Sequence, residues 1–185
     1  MIVAYVVIGV VVLLLVAAVF LFNRLVRLRN EVETGWANID VQLKRRNDLI
    51  PNLIETVKGY AAHERTVFDE VTSARAAVAA ASSPAAAGEA DSMLGQALGR
   101  LFAVAEAYPD LKASQNFQQL QAELTDTEDK IAAARRYYNA TVLAYNTAVQ
   151  TFPSLLFAGP LGFQPREFFA AEQDERAPVA VSFQS

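Results

Sequence analysis

The chain has few side chains that could carry out covalent or metal chemistry. It contains no cysteine and one histidine, His63, so disulfides, thiolate metal sites and a cysteine nucleophile are excluded. Glu64 follows His63, but a zinc site of the H-E-x-x-H type needs a second histidine. Residue 60 is a tyrosine, which excludes an E-x-x-H half of a di-iron site. We interpret His63 as structural or solvent-facing, and we predict no catalytic residue, cofactor or metal.

Two other polar clusters have the residue types of known sites without their full pattern. Asp126, Glu128 and Asp129 resemble a cation loop, but the calcium-binding spacing and its glycine are missing, so we interpret them as a solvated helix face. Residues 135–139 (RRYYN) mix cations and rings as single-strand binders do. Tyr138 falls on a heptad seam, however, which favours core packing. A net charge of −4 repels nucleic acid, and we predict no such partner.

The segment 44–51 is the polar cluster with the clearest potential for binding. Lys44, Arg45 and Arg46 lie close to Asp48, and Pro51 follows. The three cations could bind an acidic surface of a partner. Alternatively, they form a salt-bridge network between helices at a kink, because an interior proline removes one backbone hydrogen bond and distorts a helix.

The proline itself allows two local structures. Asp48 could cap a new helix with Pro51 in its first turn, where the missing N–H loses no intrahelical bond. We favour a helix that continues through Pro51 with a kink, because Leu43, Ile50 and Val57 keep a seven-residue phase across it.

An apolar segment at the N-terminus must position everything that follows. Residues 2–22, from Ile2 to Phe22, form 21 consecutive positions without a charge. As a helix they would be about 31 Å long, which matches the hydrocarbon core of a bilayer. No basic residue precedes them and the segment is longer than the apolar core of a cleavable signal. We therefore predict that residues 1–23 form a retained transmembrane anchor whose partner is the lipid bilayer.

The charges beside this anchor predict its orientation. Arg24, Arg27 and Arg29 follow the apolar segment directly, and no Lys or Arg precedes it. Positive residues favour the cytoplasmic side of a membrane. We expect a single-pass membrane protein with the bulk of the chain in the cytoplasm.

Beyond the anchor the apolar residues repeat with helical spacing, and no alternating run predicts a strand. We predict a first helix that runs to about Ala81, a second that starts with Ser83 as N-cap and Pro84 at its first position, and a third over residues 114–152. The third helix carries a heptad repeat typical of coiled-coil packing; its members are Phe117, Leu124, Ile131, Tyr138, Tyr145 and Phe152. The fold class is all-α: an up-and-down antiparallel bundle of long helices, four-helix-like, over residues 24–176, followed by a flexible tail over 177–185.

The predicted helix lengths create a difficulty for this bundle. The three helices would be about 85, 36 and 58 Å long, so the short second helix cannot cover both long ones. Either the first helix folds back near Pro51, or part of its apolar stripe meets another copy of the chain. That part contains Trp36, Ile39 and Leu43, and we predict a homo-oligomer on this basis.

The C-terminal segment is rich in turns and rings. Residues 152–163 contain proline, glycine and large apolar side chains, and Pro165 is expected to open a short helix through Phe168 and Phe169 into Glu175. The rings could close one end of the bundle. Alternatively, Phe163, Phe168 and Phe169 form a docking site for a membrane or a partner.

Several long motifs resemble the LemA family, in the order of that family. They are residues 38–64 (NIDVQLKRRNDLIPNLIETVKGYAAHE), 101–112 (LFAVAEAYPDLK), Asn116 with Phe117, Glu128 through Tyr138 and Asn139, and 162–169 (GFQPREFF). The resemblance implies a protein of the bacterial cell (inner) membrane or plasma membrane with one N-terminal anchor and a cytoplasmic helical bundle. It implies no settled activity, although some members are encoded beside a membrane metalloprotease of the HtpX type.

These features together predict a single-pass, membrane-anchored helical interaction or scaffold protein that self-associates and has no catalytic activity of its own. The alternative function is an adaptor or regulator of an HtpX-type membrane protease in membrane protein quality control. An enzyme with a site made only of carboxylates is a third alternative.

Overall fold

The computed structural model describes residues 1–169 of the chain, and every described element is a helix or a connecting loop. The predicted tail over 177–185 and residues 170–176 lie outside the described residues. The prediction of an all-α fold with an N-terminal apolar helix is confirmed. The helices are α1 (Ile2–Lys58), α2 (Arg65–Ala80), α3 (Pro84–Glu106), α4 (Pro109–Lys112), α5 (Gln115–Gln150) and α6 (Leu155–Ala158).

Helix α1 joins the apolar segment to the bundle without a break. Residues 1–20 are exposed on all sides, and of the described helices α1 alone is long and apolar enough to cross a membrane. From Leu25 onward one face of α1 is buried at helical spacing. The same helix therefore has a part with no protein neighbours and a part that supplies one side of the core.

Helix α1 continues through Pro51, as predicted, so Asp48 does not cap a new helix; the kink at Pro51 stays a prediction. Proline has no N–H to donate to the carbonyl four residues earlier, which is that of Asn47. The Nε of Arg75 in α2 donates to this carbonyl oxygen at 3.0 Å. A side chain from the neighbouring helix thus replaces the donor that Pro51 lacks.

The first helix does not run to Ala81, and that expectation was wrong. It ends at Lys58, and the amides of Tyr60 and Ala61 both donate to the carbonyl of Val57, at 3.0 and 2.9 Å. Gly59 is a weak helix former, and the turn after it places Ala61 in the core with 1% of its surface exposed. The alanine-rich run forms the separate helix α2, which folds back beside α1.

Helices α1, α2, α3 and α5 form the up-and-down bundle, with α5 packed mainly on α1 and α2 mainly on α3. The core has two clusters. The distal cluster contains Ile50, Leu53, Phe68, Leu98 and Leu101, among others. The cluster nearer the apolar end of α1 contains Leu25, Val32, Ile39, Tyr138 and Tyr145, among others.

Two local predictions for α3 and α5 are confirmed. Pro84 is the first residue of α3, and the Ser83 hydroxyl accepts a hydrogen bond from the Ala86 amide at 3.2 Å. Five members of the heptad repeat are buried along α5. The sixth, Phe152, is not, because α5 ends at Gln150 and leaves this ring 80% exposed.

The difficulty of unequal helix lengths is resolved within the described part of one chain. Residues 23–58 of α1 are as long as α5, which has 36 residues, so these two helices can pair along their whole length. The α2–α3 hairpin covers the distal part of this pair. On the side nearer the apolar segment, the C-terminal residues contribute Ala158, Phe163 and Phe169 to the core cluster.

Residues 163–169, here called the strap, are not helical. The expectation that Pro165 opens a helix through Phe168 and Phe169 was wrong for these residues. The rest of that expected helix, to Glu175, lies outside the described residues. Side chains of α5 bind the backbone of the strap directly, and this pairing replaces the hydrogen bonds that a helix would have made.

Candidate functional site

Two asparagines of α5 hold the backbone of the strap. Asn146 accepts a hydrogen bond from the Arg166 amide at 2.8 Å and donates to the Arg166 carbonyl at 2.9 Å. Asn139 pairs with Phe169 in the same way, with distances of 3.0 and 3.3 Å. A side-chain amide carries one acceptor and two donors, so each asparagine imitates a neighbouring strand. Their seven-residue separation places both on the same face of α5.

An aromatic cluster lies under the distal end of the strap. The Tyr138 hydroxyl donates to the Glu167 carbonyl at 2.8 Å, and burial raises the pKa of Tyr138 above its usual value. The Trp36 ring lies 5.8 Å from the Tyr138 ring and 6.5 Å from the Phe169 ring, between centroids. The strap therefore packs its last ring against α1 while its backbone bonds to α5.

A cavity of about 430 Å³ lies between the strap, α1 and the start of α3. At its edge the Arg166 guanidinium lies 3.5 Å from the Glu33 carboxylate, and both side chains are largely exposed. The cavity is lined by two aromatic residues, Trp36 and Tyr138, and by the ion pair. Among residues 1–169 no cluster of His, Asp or Glu could hold a metal ion. The lining residues are Val32, Glu33, Trp36, Pro84, Tyr138, Pro165, Arg166 and Glu167.

Two members of the basic cluster, Arg45 and Arg46, form salt bridges between helices, as in the second of the two interpretations given above. Arg46 is 3% exposed, and its guanidinium contacts Asp91 of α3 at 2.7 Å and Glu128 of α5 at 3.0 Å. One buried side chain thus links three helices. Arg45 lies 3.6 Å from Asp126 at the surface.

Asp126 also accepts a hydrogen bond from Lys130 of the same helix at 2.7 Å. This bond is the main reason why the pKa of Asp126 is lowered, and the charges of Lys130 and Arg45 act in the same direction. Asp126 and Glu128 therefore belong to ion pairs between and along helices. His63 is exposed, as its interpretation as a solvent-facing residue allows.

The structure divides the predicted interaction residues into covered and accessible ones. Ile39 and Leu43 are buried with 0% and 6% exposed, and Trp36 is partly buried against Tyr138 and Phe169. The stripe that was expected to meet another copy is therefore covered within the chain. That reason for self-association does not hold, and self-association stays a prediction. Of the remaining candidates, Phe163 and Phe169 are buried, Pro51 is partly buried, and Lys44, Asp48 and Phe168 are exposed.

Two of the residues predicted to mark the membrane anchor, Phe22 and Arg29, lie close to the strap. Phe22 contacts the ring of Phe163, with 5.6 Å between centroids. The guanidinium of Arg29 lies 5.5 Å from the centroid of the same ring. Ile2, Arg24 and Arg27 are exposed. The end of the apolar segment is thus in contact with the start of the strap.

Sequence reasoning did not identify the asparagine pair or Asp91 as functional or structural site residues. The seven-residue spacing of Asn139 and Asn146 was visible, as was the resemblance that includes Asn139 and residues 162–169. The sequence did not show that these asparagines bind the backbone of residues 166 and 169. Hydrogen bonds between residues 20 and 30 positions apart leave no local sequence pattern. Asp91 was hidden in the same way, 45 residues from Arg46.

A comparison with protein families covers the part of the chain that contains these residues. The model described as "LemA family" matches residues 35–183, a range that contains the Arg46 network, both asparagines and the strap. The chain belongs to the LemA family. The resemblance seen in the sequence motifs is therefore confirmed, and this LemA-family protein has the bundle and the apolar N-terminal helix that the resemblance implied.

Named relatives are similar over most of the chain. The magnetosome protein MamQ of Magnetospirillum gryphiswaldense is 26% identical over 184 residues, which cover 85% of this chain and 68% of that protein. Magnetosome protein MamQ 2 of Paramagnetospirillum magneticum gives the same identity and coverage. Protein LemA of Metamycoplasma hominis is 29% identical, with 86% of this chain and 74% of that protein covered.

Proposed function

We propose that this membrane-associated LemA-family protein is a non-catalytic scaffold that holds a helical bundle at a fixed height above the membrane. The observation that carries the proposal is the continuity of α1, a single helix of 57 residues. At about 1.5 Å per residue, residues 23–58 extend about 54 Å beyond the apolar segment. No flexible linker separates the two parts, so the anchor would set the position and tilt of the bundle.

The packing of the bundle favours a rigid scaffold rather than a bundle that moves freely on its anchor. Helix α5 runs beside α1 from the boundary to the distal turn, and the buried Arg46 joins α1 to α3 and α5. The strap adds hydrogen bonds to α5 close to the membrane end. Such a rod can present the same surface at the same distance to every partner.

The orientation belongs to the same proposal. Arg24 and Arg27 are exposed immediately after the apolar segment, and Arg29 follows two residues after Arg27. An excess of positive residues on one side favours the cytoplasm for that side, and the bundle would therefore project into the cytoplasm from the inner membrane. Protease added to sealed spheroplasts should leave the bundle intact and degrade it only after lysis. Degradation in sealed spheroplasts would refute this orientation.

Photo-cross-linking in native membranes tests the scaffold function. A photoreactive phenylalanine analogue is placed at Leu143 or Val41, which are 60% and 61% exposed on the bundle, and at buried Leu53 as the matched control. Scaffolding predicts discrete cross-linked products from the exposed positions and none from Leu53. If only uncross-linked chain is recovered from both exposed positions, the proposal is wrong.

This proposal has two narrower forms. In the first the chain self-associates, and in the second it is an adaptor of a membrane protease. The same experiment separates them by mass. A product at twice the chain's 20.2 kDa supports a homo-oligomer, whereas a heavier product that contains a protease supports an adaptor. The adaptor form also predicts that deletion of this protein changes the turnover of that protease's substrates.

A further inference from the structure

The segment between α5 and the strap has an unusual surface for a loop. Residues 151–165 contain no charged side chain. Five of them are large, apolar and exposed, at fractions between 44% and 80%: Phe152, Leu155, Leu156, Phe157 and Leu161. We call these five residues the apolar foot. Exposed apolar side chains this close together mark a site of contact with a membrane or another protein.

The register between α1 and α5 places the apolar foot beside the anchor. Arg45 contacts Asp126, and nearer the apolar end Gly35 lies against Tyr138, where a Cβ on Gly35 would be 3.3 Å from the Tyr138 Cα. The two helices therefore run antiparallel. Thirteen residues farther along each helix, about 20 Å, α1 reaches Phe22 and α5 has just ended. The foot begins at that level.

A direct contact confirms this position independently of the register. The ring of Phe163, two residues after the last member of the foot, packs edge-on against Phe22 at 5.6 Å. Ala158, within α6, is 1% exposed and belongs to the core cluster that contains Leu25. One side of the segment is thus fixed to the bundle beside the end of the apolar helix, and the other side carries the exposed foot.

The side chains around this level match a membrane boundary. The apolar part of α1 ends at Phe22, and Arg24, Arg27 and Arg29 follow within two turns. Basic residues next to a membrane are attracted to anionic lipid headgroups, and Leu and Phe side chains insert favourably into the hydrocarbon region. By the register of α1 and α5, the foot begins at the level of Phe22, seven residues nearer the apolar end of α1 than Arg29.

We propose that the apolar foot enters the same leaflet that the anchor leaves, as a second membrane contact of this chain. The inference rests on the proposed function in one respect, namely that α1 spans the bilayer. Lipid is the occupant because the foot continues the apolar surface of the anchor at the same height. Two contacts side by side would also prevent the bundle from tilting on a single helix.

Site-directed spin labelling tests this with the full-length protein. The chain has no native cysteine, so Leu156→Cys gives a single label on the foot. Leu143→Cys is the matched control, because both leucines are 60% exposed and Leu143 lies eight residues before Thr151, about 12 Å farther from the membrane. Leu14→Cys reports the anchor. The proteins are placed in nanodiscs of three parts phosphatidylcholine to one part phosphatidylglycerol.

The label at Leu156 is expected to collide readily with oxygen and severalfold less with a water-soluble nickel chelate than the label at Leu143. If Leu156 behaves like Leu143 while Leu14 reads as lipid-exposed, the foot inference is wrong and the anchor stands. If Leu156 is shielded from both reagents, protein covers the foot and the inference is also wrong. If Leu14 itself is accessible to the nickel chelate, the proposed anchoring fails together with the foot.

Discussion

The hydrogen bond from Arg75 to the Asn47 carbonyl, four residues before Pro51, predicts a measurable change in stability when it is removed. Arg75→Ala removes the Nε that bonds to the Asn47 carbonyl at 3.0 Å. No backbone N–H can take its place, because residue 51 is a proline. Loss of a partly buried hydrogen bond with a charged donor costs about 1 to 2 kcal/mol. We expect the free energy of unfolding to fall by that amount.

The matched experiment is a double-mutant cycle with Pro51→Ala. Alanine at position 51 restores an N–H that can donate to Asn47, so Arg75→Ala should cost about 1 kcal/mol less in that background. This difference exceeds the 0.3 to 0.5 kcal/mol within which independent sites add. Arg65→Ala, on the same helix and exposed, serves as the control and should change stability little in either background.

Urea unfolding in detergent micelles measures all of these variants. Far-ultraviolet circular dichroism follows the helices, and the fluorescence of Trp36, the only tryptophan, follows the core near the strap. Coincident curves from the two probes would justify a two-state treatment. Equal costs of Arg75→Ala with and without Pro51 would refute the reasoning, because Arg75 would then act by packing alone.

Three further predictions concern the bundle and the strap. Asp91→Ala leaves the buried Arg46 without its 2.7 Å partner and should destabilise the bundle by about 3 kcal/mol, whereas Asp126→Ala, at the surface, should produce no measurable change in urea unfolding. Asn139→Ala removes both bonds to Phe169 and should cost about 1 to 3 kcal/mol, with a red shift of the tryptophan emission as the strap loosens. Burial raises the pKa of Tyr138 above the value of about 10 that tyrosine has in an unfolded chain. The neutral form of Tyr138 therefore contributes its full stability below the unfolded pKa. This contribution is lost as the pH rises through the folded pKa. Tyr138→Phe should make the alkaline loss of stability shallower, and an unchanged alkaline profile would contradict this assignment.

Features specified by nearby residues could be predicted from the sequence. Ser83 and Pro84 form a start signal that needs only a few residues, and the hydroxyl bond to the Ala86 amide follows from it. The heptad spacing along α5 likewise predicted which of its residues are buried. The apolar segment was recognisable because length and charge alone define it.

The end of α1 shows where local signals fail. High alanine content after residue 73 favoured one long helix, and Gly59 is the only glycine between Pro51 and Ala81. The chain turns there because Ala61 and Phe68 enter the distal core once α2 folds back. That gain depends on contacts with α3, so it could not be read from the segment itself.

The strap shows why the sequence could not decide between a closed chain and an oligomer. An apolar side chain of α1 such as Trp36 can be buried equally well by a second copy or by the chain's own C-terminal segment, since apolar contacts are not directional. Hydrogen bonds are directional. Asn139 and Asn146 each require a backbone amide and carbonyl of one residue at one place, and this requirement selects residues 166 and 169. The polar pairs thus fix which segment packs on Trp36, and the Phe169 ring, 6.5 Å from the Trp36 ring between centroids, supplies the apolar contact.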